Sequence, residues 1–116
     1  MVKKWDIYYL DLNPVKGSEQ QGTRPVLVIS NDAVNVNLPV FTVIPFSSVK
    51  AGSKIYPTEI YLSINETGLS KDSVLMLQQI RTVAQSRITG KQVSEINDEK
   101  VKEKINKALI SYFELD

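Results

Sequence analysis

Apolar residues recur on a helical period in only one stretch of this chain, its C-terminal end. Val101, Ile105, Ala108, Leu109 and Tyr112 fall on one stripe of a 3.6-residue spacing. Asn97 is placed to cap that helix, with Asp98 and Glu99 in the positively polarised first turn. Lys100, Lys102, Lys104 and Lys107, interleaved with Glu99 and Glu103, read as its solvated face. Everything before it reads as short strands and loops, which restricts the fold to a mainly β structure with one terminal helix.

The strands are punctuated by Pro, Gly and Asn. Residues 5–12, from Trp5 to Leu12, are rich in aromatic and branched side chains and stop at Asn13-Pro14. Residues 15–24 are polar with Gly17 and Gly22 near the ends, a loop suited to act as a lid. Pro25-Val26-Leu27-Val28-Ile29-Ser30 is a continuous apolar run, as in a strand buried on both faces, with Pro25 tolerated in first position. Asn31-Asp32 begins a turn, and a loop continues over 35–39. A third strand spans 40–46 and runs into Ser47-Ser48, a fourth spans 59–62 after Pro57, and a fifth spans 73–83. A sixth piece is expected near Ile88 and Val93, with turns at 50–54 and 65–68. This pattern predicts a single domain over residues 1–116, mainly β with α: a small SH3-like antiparallel β-barrel with a C-terminal α-helix.

Composition narrows the chemistry. The 116 residues include no Cys and no His. Thiol nucleophiles, thiolate zinc sites, imidazole acid–base pairs and a Ser-His-Asp triad are therefore excluded. The formal net charge is +1, which demands no polyanionic partner by itself. No apolar run reaches the roughly 20 residues of a membrane span. The N-terminus lacks a signal-peptide apolar region, so a cytoplasmic location is expected. The loop Gly17-x4-Gly22 lacks the Lys-Ser/Thr of a phosphate-cradling P-loop. Asp6, Asp11 and Asp32 form no metal-ligand spacing; Asp11 reads as an exposed strand residue and Asp32 as a turn former.

Three polar features remain. Only three of the fourteen basic residues are Arg: Arg24, Arg81 and Arg87. Arg24, wedged before Pro25, presents either a fixed guanidinium for a phosphate or an ion pair that closes the loop. Ser47-Ser48 offers hydroxyl donors at a strand end, or merely a turn. In Gln78-Gln79-Ile80-Arg81, strand alternation places Gln79 and Arg81 on one face and Gln78 with Ile80 on the other, toward the core or an interface. Arg81 is suited either to such a face or to a buried ion pair.

Five stretches carry a family resemblance: Asp6 to Pro14, Lys16-Gly17-Ser18-Glu19-Gln20, Gly22 to Asn31, Ile44-Pro45-Phe46-Ser47-Ser48, and Asp72 to Thr82. In order and approximate spacing they resemble the MazF/PemK/Kid family of toxin endoribonucleases of type II toxin–antitoxin systems. The resemblance implies an SH3-like barrel that forms a homodimer and cleaves single-stranded RNA, often mRNA, at a short sequence, without metal or other cofactor. It implies a cognate antitoxin whose C-terminal segment occupies the RNA groove. The family's catalytic Arg falls on Arg24 and its catalytic Thr or Ser on Ser47. The loop that covers RNA falls on Gly17 to Gly22, which puts Gly17, Ser18 and Gln20 against the substrate. RNA-contacting positions fall on Gln78 and Gln79, with Arg81 beside them. Glu19, or water, is the expected base for the 2′-OH, because free Arg is a poor one. Asn35 and Asn37 are further expected base readers, and Tyr8, Phe41, Phe46 and Tyr56 are stacking groups or, more commonly, core. Members commonly carry Gly where this chain has Trp5. A barrel of this kind also occurs in CcdB-like toxins, which bind DNA gyrase without cleaving, and fold alone does not separate the two.

Overall fold

The computed structural model describes residues 1–14, 16–19 and 22–116. Seven strands and three helices alternate along the chain: β1 (Asp6–Asp11), β2 (Thr23–Val28), α1 (Asp32–Asn37), β3 (Val40–Ser48), β4 (Glu59–Leu62), α2 (Ile64–Thr67), β5 (Ser73–Met76), β6 (Arg81–Ala84), β7 (Ser94–Glu95) and α3 (Glu99–Phe113). The strands run β4-β5-β3-β2-β1-β7, and β6 also pairs with β3. All pairs are antiparallel. The result is a curled half-barrel sheet with a C-terminal helix, as the sequence pattern predicts.

The centre of this sheet is β3, whose nine residues face three partners. Its first half pairs with β6, from Val40↔Ala84 to Val43↔Arg81. Its last three residues pair with β5, from Phe46↔Leu75 to Ser48↔Ser73. Its other edge pairs with β2, from Val28↔Val43 to Val26↔Pro45. Both faces are covered. Ile7, Leu27, Ile44, Phe46 and Leu75 pack in one cluster with Val101 and Ile105 of α3. Tyr8, Leu10, Val26, Val28, Phe41, Val43 and Val83 form a second cluster on the opposite face. Alternation sends successive residues to different cores, so β1 to β3 read as nearly unbroken apolar runs.

Four sequence expectations need correction. The fifth strand is not continuous over 73–83, because Leu77–Gln79 form a single 3-10 turn between β5 and β6. The break lets the chain move from the last residues of β3 to its first half while Leu77 stays 3% exposed in the core. Its amide donates to the carbonyl of Thr58 (3.1 Å). Residues 32–37 are a short helix rather than a loop: Asn31 caps it, with Oδ1 accepting from Val34 N at 3.0 Å. The turn at 65–68 belongs to α2, closed by a Ser63/Glu66 capping box and by Gly68 in the left-handed region (φ 74°). The N-cap of α3 is Asp98 rather than Asn97, its Oδ1 accepting from Lys100 N at 2.8 Å. The predicted stripe is otherwise present, though it fades outward: Tyr112 is 39% exposed.

Asp6 is the one carboxylate buried in this framework, 4% exposed at the start of β1. Its Oδ2 accepts from Lys3 N (2.9 Å) and its Oδ1 from Gln92 Nε2 (3.0 Å). Burial pushes its pKa above the ordinary value of 3.8; the Lys3 amide opposes the rise and the charge of Glu95 adds to it.

Two outcomes follow. Ile105→Ala should lower the unfolding free energy by about 2–5 kcal/mol in urea titrations, since Ile105 is fully buried between α3 and the sheet. The native state holds the Asp6 proton more tightly than the unfolded chain, so it loses stability as pH rises from the unfolded value through the raised folded one. Asp6→Asn carries no such loss. Its stability relative to wild type should therefore increase between about pH 4 and pH 7. A difference that stays flat over that range would contradict the burial cause.

Candidate active site

The site begins where a ladder ends. Tyr9 and Pro25 are register partners, and the Tyr9 carbonyl accepts from Thr89 N (2.9 Å) on its other side. The missing N–H of Pro25 thus falls on the β3 side, and the β2–β3 pairing stops at Val26↔Pro45. Two residues beyond that pair lie Arg24 and Ser47. Strand alternation puts both on the face of Val26 and Pro45, and Arg81, opposite Val43, belongs to the same face. Arg24, Ser47 and Arg81 are each half-buried. The fold therefore brings two arginines and a hydroxyl from three strands to one side of the sheet.

The loop reaches the same place. Glu19 folds the loop tip back on itself: its Oε1 accepts from Lys16 N (2.7 Å) and its amide donates to the Lys16 carbonyl (3.2 Å). Gly17, with φ 56°, allows that turn. Gln79 Nε2 donates to the Ser18 carbonyl (3.2 Å), tying the loop to the segment before β6. Glu19, Gln78, Gln79, Ile80 and Arg81 line a cavity of about 130 Å³. Arg81 Nη1 is buried beside it and, among the described residues, makes no hydrogen bond. Neither ion pair among the described residues involves Arg81, so the alternative of a buried ion pair there gains no support.

Some expected residues stand elsewhere. Gln78 is exposed rather than turned to the core; its side chain accepts from Thr58 Oγ1 (3.0 Å) and donates to Glu59 (3.4 Å). The 3-10 turn interrupts the alternation that paired it with Ile80. Gln20 lies outside the described residues, with Val15 and Gln21. Asn35 is buried, donating to the Ser30 carbonyl (2.9 Å), and so is not placed to read a base. Phe41 and Phe46 are fully buried and Tyr8 nearly so; of the four aromatic groups only Tyr56 is exposed.

Sequence reasoning gave Arg87 no role, yet it shapes the neck of the loop. Its Nη1 donates to the carbonyls of Asp11 (3.1 Å) and Asn13. Across the neck, Gly22 N donates to Asn13 Oδ1 (3.3 Å) and Leu12 N to the Gly22 carbonyl (3.0 Å). Its only signal in the sequence was being one of three arginines.

The chain is thus a curled antiparallel half-barrel with Arg24, Ser47 and Arg81 on one face, and similarity to known proteins narrows its class. The family described as PemK-like, MazF-like toxin of type II toxin-antitoxin system matches residues 3–113, and the chain belongs to that family. It is 40% identical over 109 residues to Endoribonuclease EndoA of Bacillus subtilis, covering 94% of this chain and 91% of that protein. The crystal structure of MazF from Deinococcus radiodurans superimposes with a TM-score of 0.77 at 26% identity, covering 97% of this chain and 96% of that one. A MazE–MazF structure from the same organism gives 0.74 at 26% identity, over 99% and 97% of the two chains.

Arg87→Ala removes donors that hold two carbonyls of the loop neck. It should cost roughly 0.5–1.5 kcal/mol of global stability. Amide exchange at Leu12 and Gly22 should accelerate while that of α3 changes only by the global amount, a comparison hydrogen-exchange mass spectrometry can make.

Proposed function

We propose that this protein is a MazF-type endoribonuclease toxin that cuts single-stranded RNA at a short sequence without a metal ion, leaving 2′,3′-cyclic phosphate and 5′-hydroxyl ends. The observation that carries the reading is the common face of Arg24 and Ser47, in a chain 40% identical to a protein named an endoribonuclease. RNA brings its own nucleophile. The 2′-OH attacks the adjacent phosphorus, and the phosphorane gains charge on its non-bridging oxygens as the 5′-oxygen departs. Arg24 offers a delocalised cation to that charge and a proton donor toward the leaving oxygen. Ser47 offers an O–H to a non-bridging oxygen. Glu19, held at the loop tip, takes the 2′-OH proton directly or through water. DNA lacks the nucleophile and is not cut.

Specificity follows from unstacked bases passing between the loop (Gly17, Ser18 and Gln20) and the strand side carrying Gln78, Gln79 and Arg81. The hydrogen bond from Gln79 to the Ser18 carbonyl joins those two walls before substrate arrives. The MazE–MazF similarity supports a cognate antitoxin. Its C-terminal segment would compete for the same groove, and the functional unit would be two copies of this chain.

Purified protein incubated with a long RNA in EDTA should cut it at one short sequence and leave 5′-hydroxyl ends, as end mapping would show. Intact RNA from folded, antitoxin-free protein would move the assignment to a CcdB-like, gyrase-binding role. Arg24→Ala should lower the cleavage rate about 100- to 1000-fold with an unchanged circular dichroism spectrum. Ser47→Thr should keep activity that Ser47→Ala loses. A folded Arg24→Ala protein of normal activity would remove Arg24 from the mechanism.

A further inference from the structure

The end of the β2–β3 ladder opens a second space on the side of the sheet opposite Ser47. It is a cavity of about 240 Å³, bounded by the diverging strands and by the segment that precedes β5. Phe46 and Ser48 line it and Ser47 does not, as alternation along β3 requires. Its polar lining is of one kind. Thr23, Ser48, Ser70 and Ser73 contribute hydroxyls, Lys71 contributes a cation, and Arg24 borders it as well. Among the described residues, no Asp or Glu lines it. Among the described residues, the hydroxyls of Thr23, Ser48 and Ser70 make no hydrogen bond, and Lys71 has no carboxylate within ion-pair distance.

Lys71 is not at a loose loop tip. Ser73 Oγ donates to the Lys71 carbonyl (3.0 Å), the next residue's Asp72 Oδ1 accepts from Ile64 N (2.9 Å), and the Asp72 carbonyl accepts from Val49 N (3.0 Å). These bonds fix the backbone that carries the ammonium next to the cavity. Such a site has donors and positive charge but no competing anion, which suits a phosphodiester. Arg24 lines this cavity and by strand alternation belongs to the Ser47 face, so an occupant here would be a near neighbour along the chain of whatever Arg24 binds.

We propose that this cavity is a subsite for a second phosphate of the RNA chain, the one adjacent to the phosphate held by Arg24, with Lys71 as its counter-charge. The inference rests on the ribonuclease reading and adds a positioning contact to it. Lys71 meets the strand beside the bond that breaks and so contributes to substrate affinity rather than to the chemical step.

The test separates the two. A fluorescent single strand built on 2′-deoxyribose cannot be cleaved, so its binding reports affinity without chemistry. Its affinity for wild type, Lys71→Gln, Lys71→Arg and Lys107→Gln should be measured between about 50 and 200 mM salt. Lys71→Gln should make the slope of log affinity against log salt shallower by about 0.7, the value for one single-strand phosphate contact. In RNA cleavage it should raise KM several-fold and leave kcat unchanged. Lys71→Arg should restore the slope, and Lys107→Gln, on the far side of α3, should leave it as in wild type. If wild type cuts RNA but Lys71→Gln keeps the wild-type slope and KM, the subsite is wrong and the ribonuclease reading stands. If Lys71→Gln instead loses only its binding to an oligoglutamate peptide, the cavity serves an acidic protein segment and the RNA subsite is overturned. If wild type neither binds the strand nor cuts RNA, the reading beneath the proposal fails first.

Discussion

The structure depends on one strand changing partners. β3 pairs with β6 over Val40 to Val43 and with β5 over Phe46 to Ser48, while β2 lies along its other edge. A strand serving three neighbours must bend, and bending is tolerable where the ladder has no donor to lose. Pro45 sits at that position, between the last residue paired with β6 and the first paired with β5. The bend closes the sheet around two apolar clusters, one per face. Each face then excludes water from the roots of the polar residues at its margin. Both described ion pairs lie on α3, and that between Lys107 and Glu103 is exposed and contributes little.

Pro25 has a parallel effect on the other edge. Its missing N–H ends the β2–β3 ladder two residues short of Arg24 and Ser47, so these residues sit on splayed strand ends. A fully paired ladder would have closed the gap between β2 and β3. The termination instead leaves Arg24 anchored through β1, opposite Leu10, with space toward β3. The same two residues, Arg24 and Pro25, thus supply a charge and the opening that a phosphate would need.

Most of the fold was legible because its determinants are local. Alternation and β-branched composition placed β1 to β4 within a few residues and the start of β5, and the 3.6-residue stripe placed α3. What sequence reading missed was decided by tertiary demands. Nothing local in Leu75-Met76-Leu77-Gln78-Gln79-Ile80 shows that the chain must turn there, because the turn answers the bend of β3. The α1 helix is carried by its Asn31 cap and by buried Asn35, a polar pattern that looks like a loop. Of the site, Arg24, Ser47, Gln79 and Arg81 could be suspected from residue type and resemblance. Arg87 could not, since its partners lie far along the chain: Arg87 bonds Asp11 and Asn13, more than 70 positions earlier.

The loop is ordered without neutralising the cations beside it. Several of its contacts are main-chain carbonyls receiving side-chain donors, at Ser18 from Gln79 and at Asp11 and Asn13 from Arg87. A carbonyl satisfies a guanidinium or amide without neutralising it. The positive charge of Arg87 therefore remains available to the surrounding field while its donors position the neck. Carboxylates in those places would have held the loop more strongly, but they would have cancelled the charge that steers a phosphate chain. Glu19, whose Oε1 is turned back on its own loop, places a carboxylate in the lining of the cavity beside Arg81.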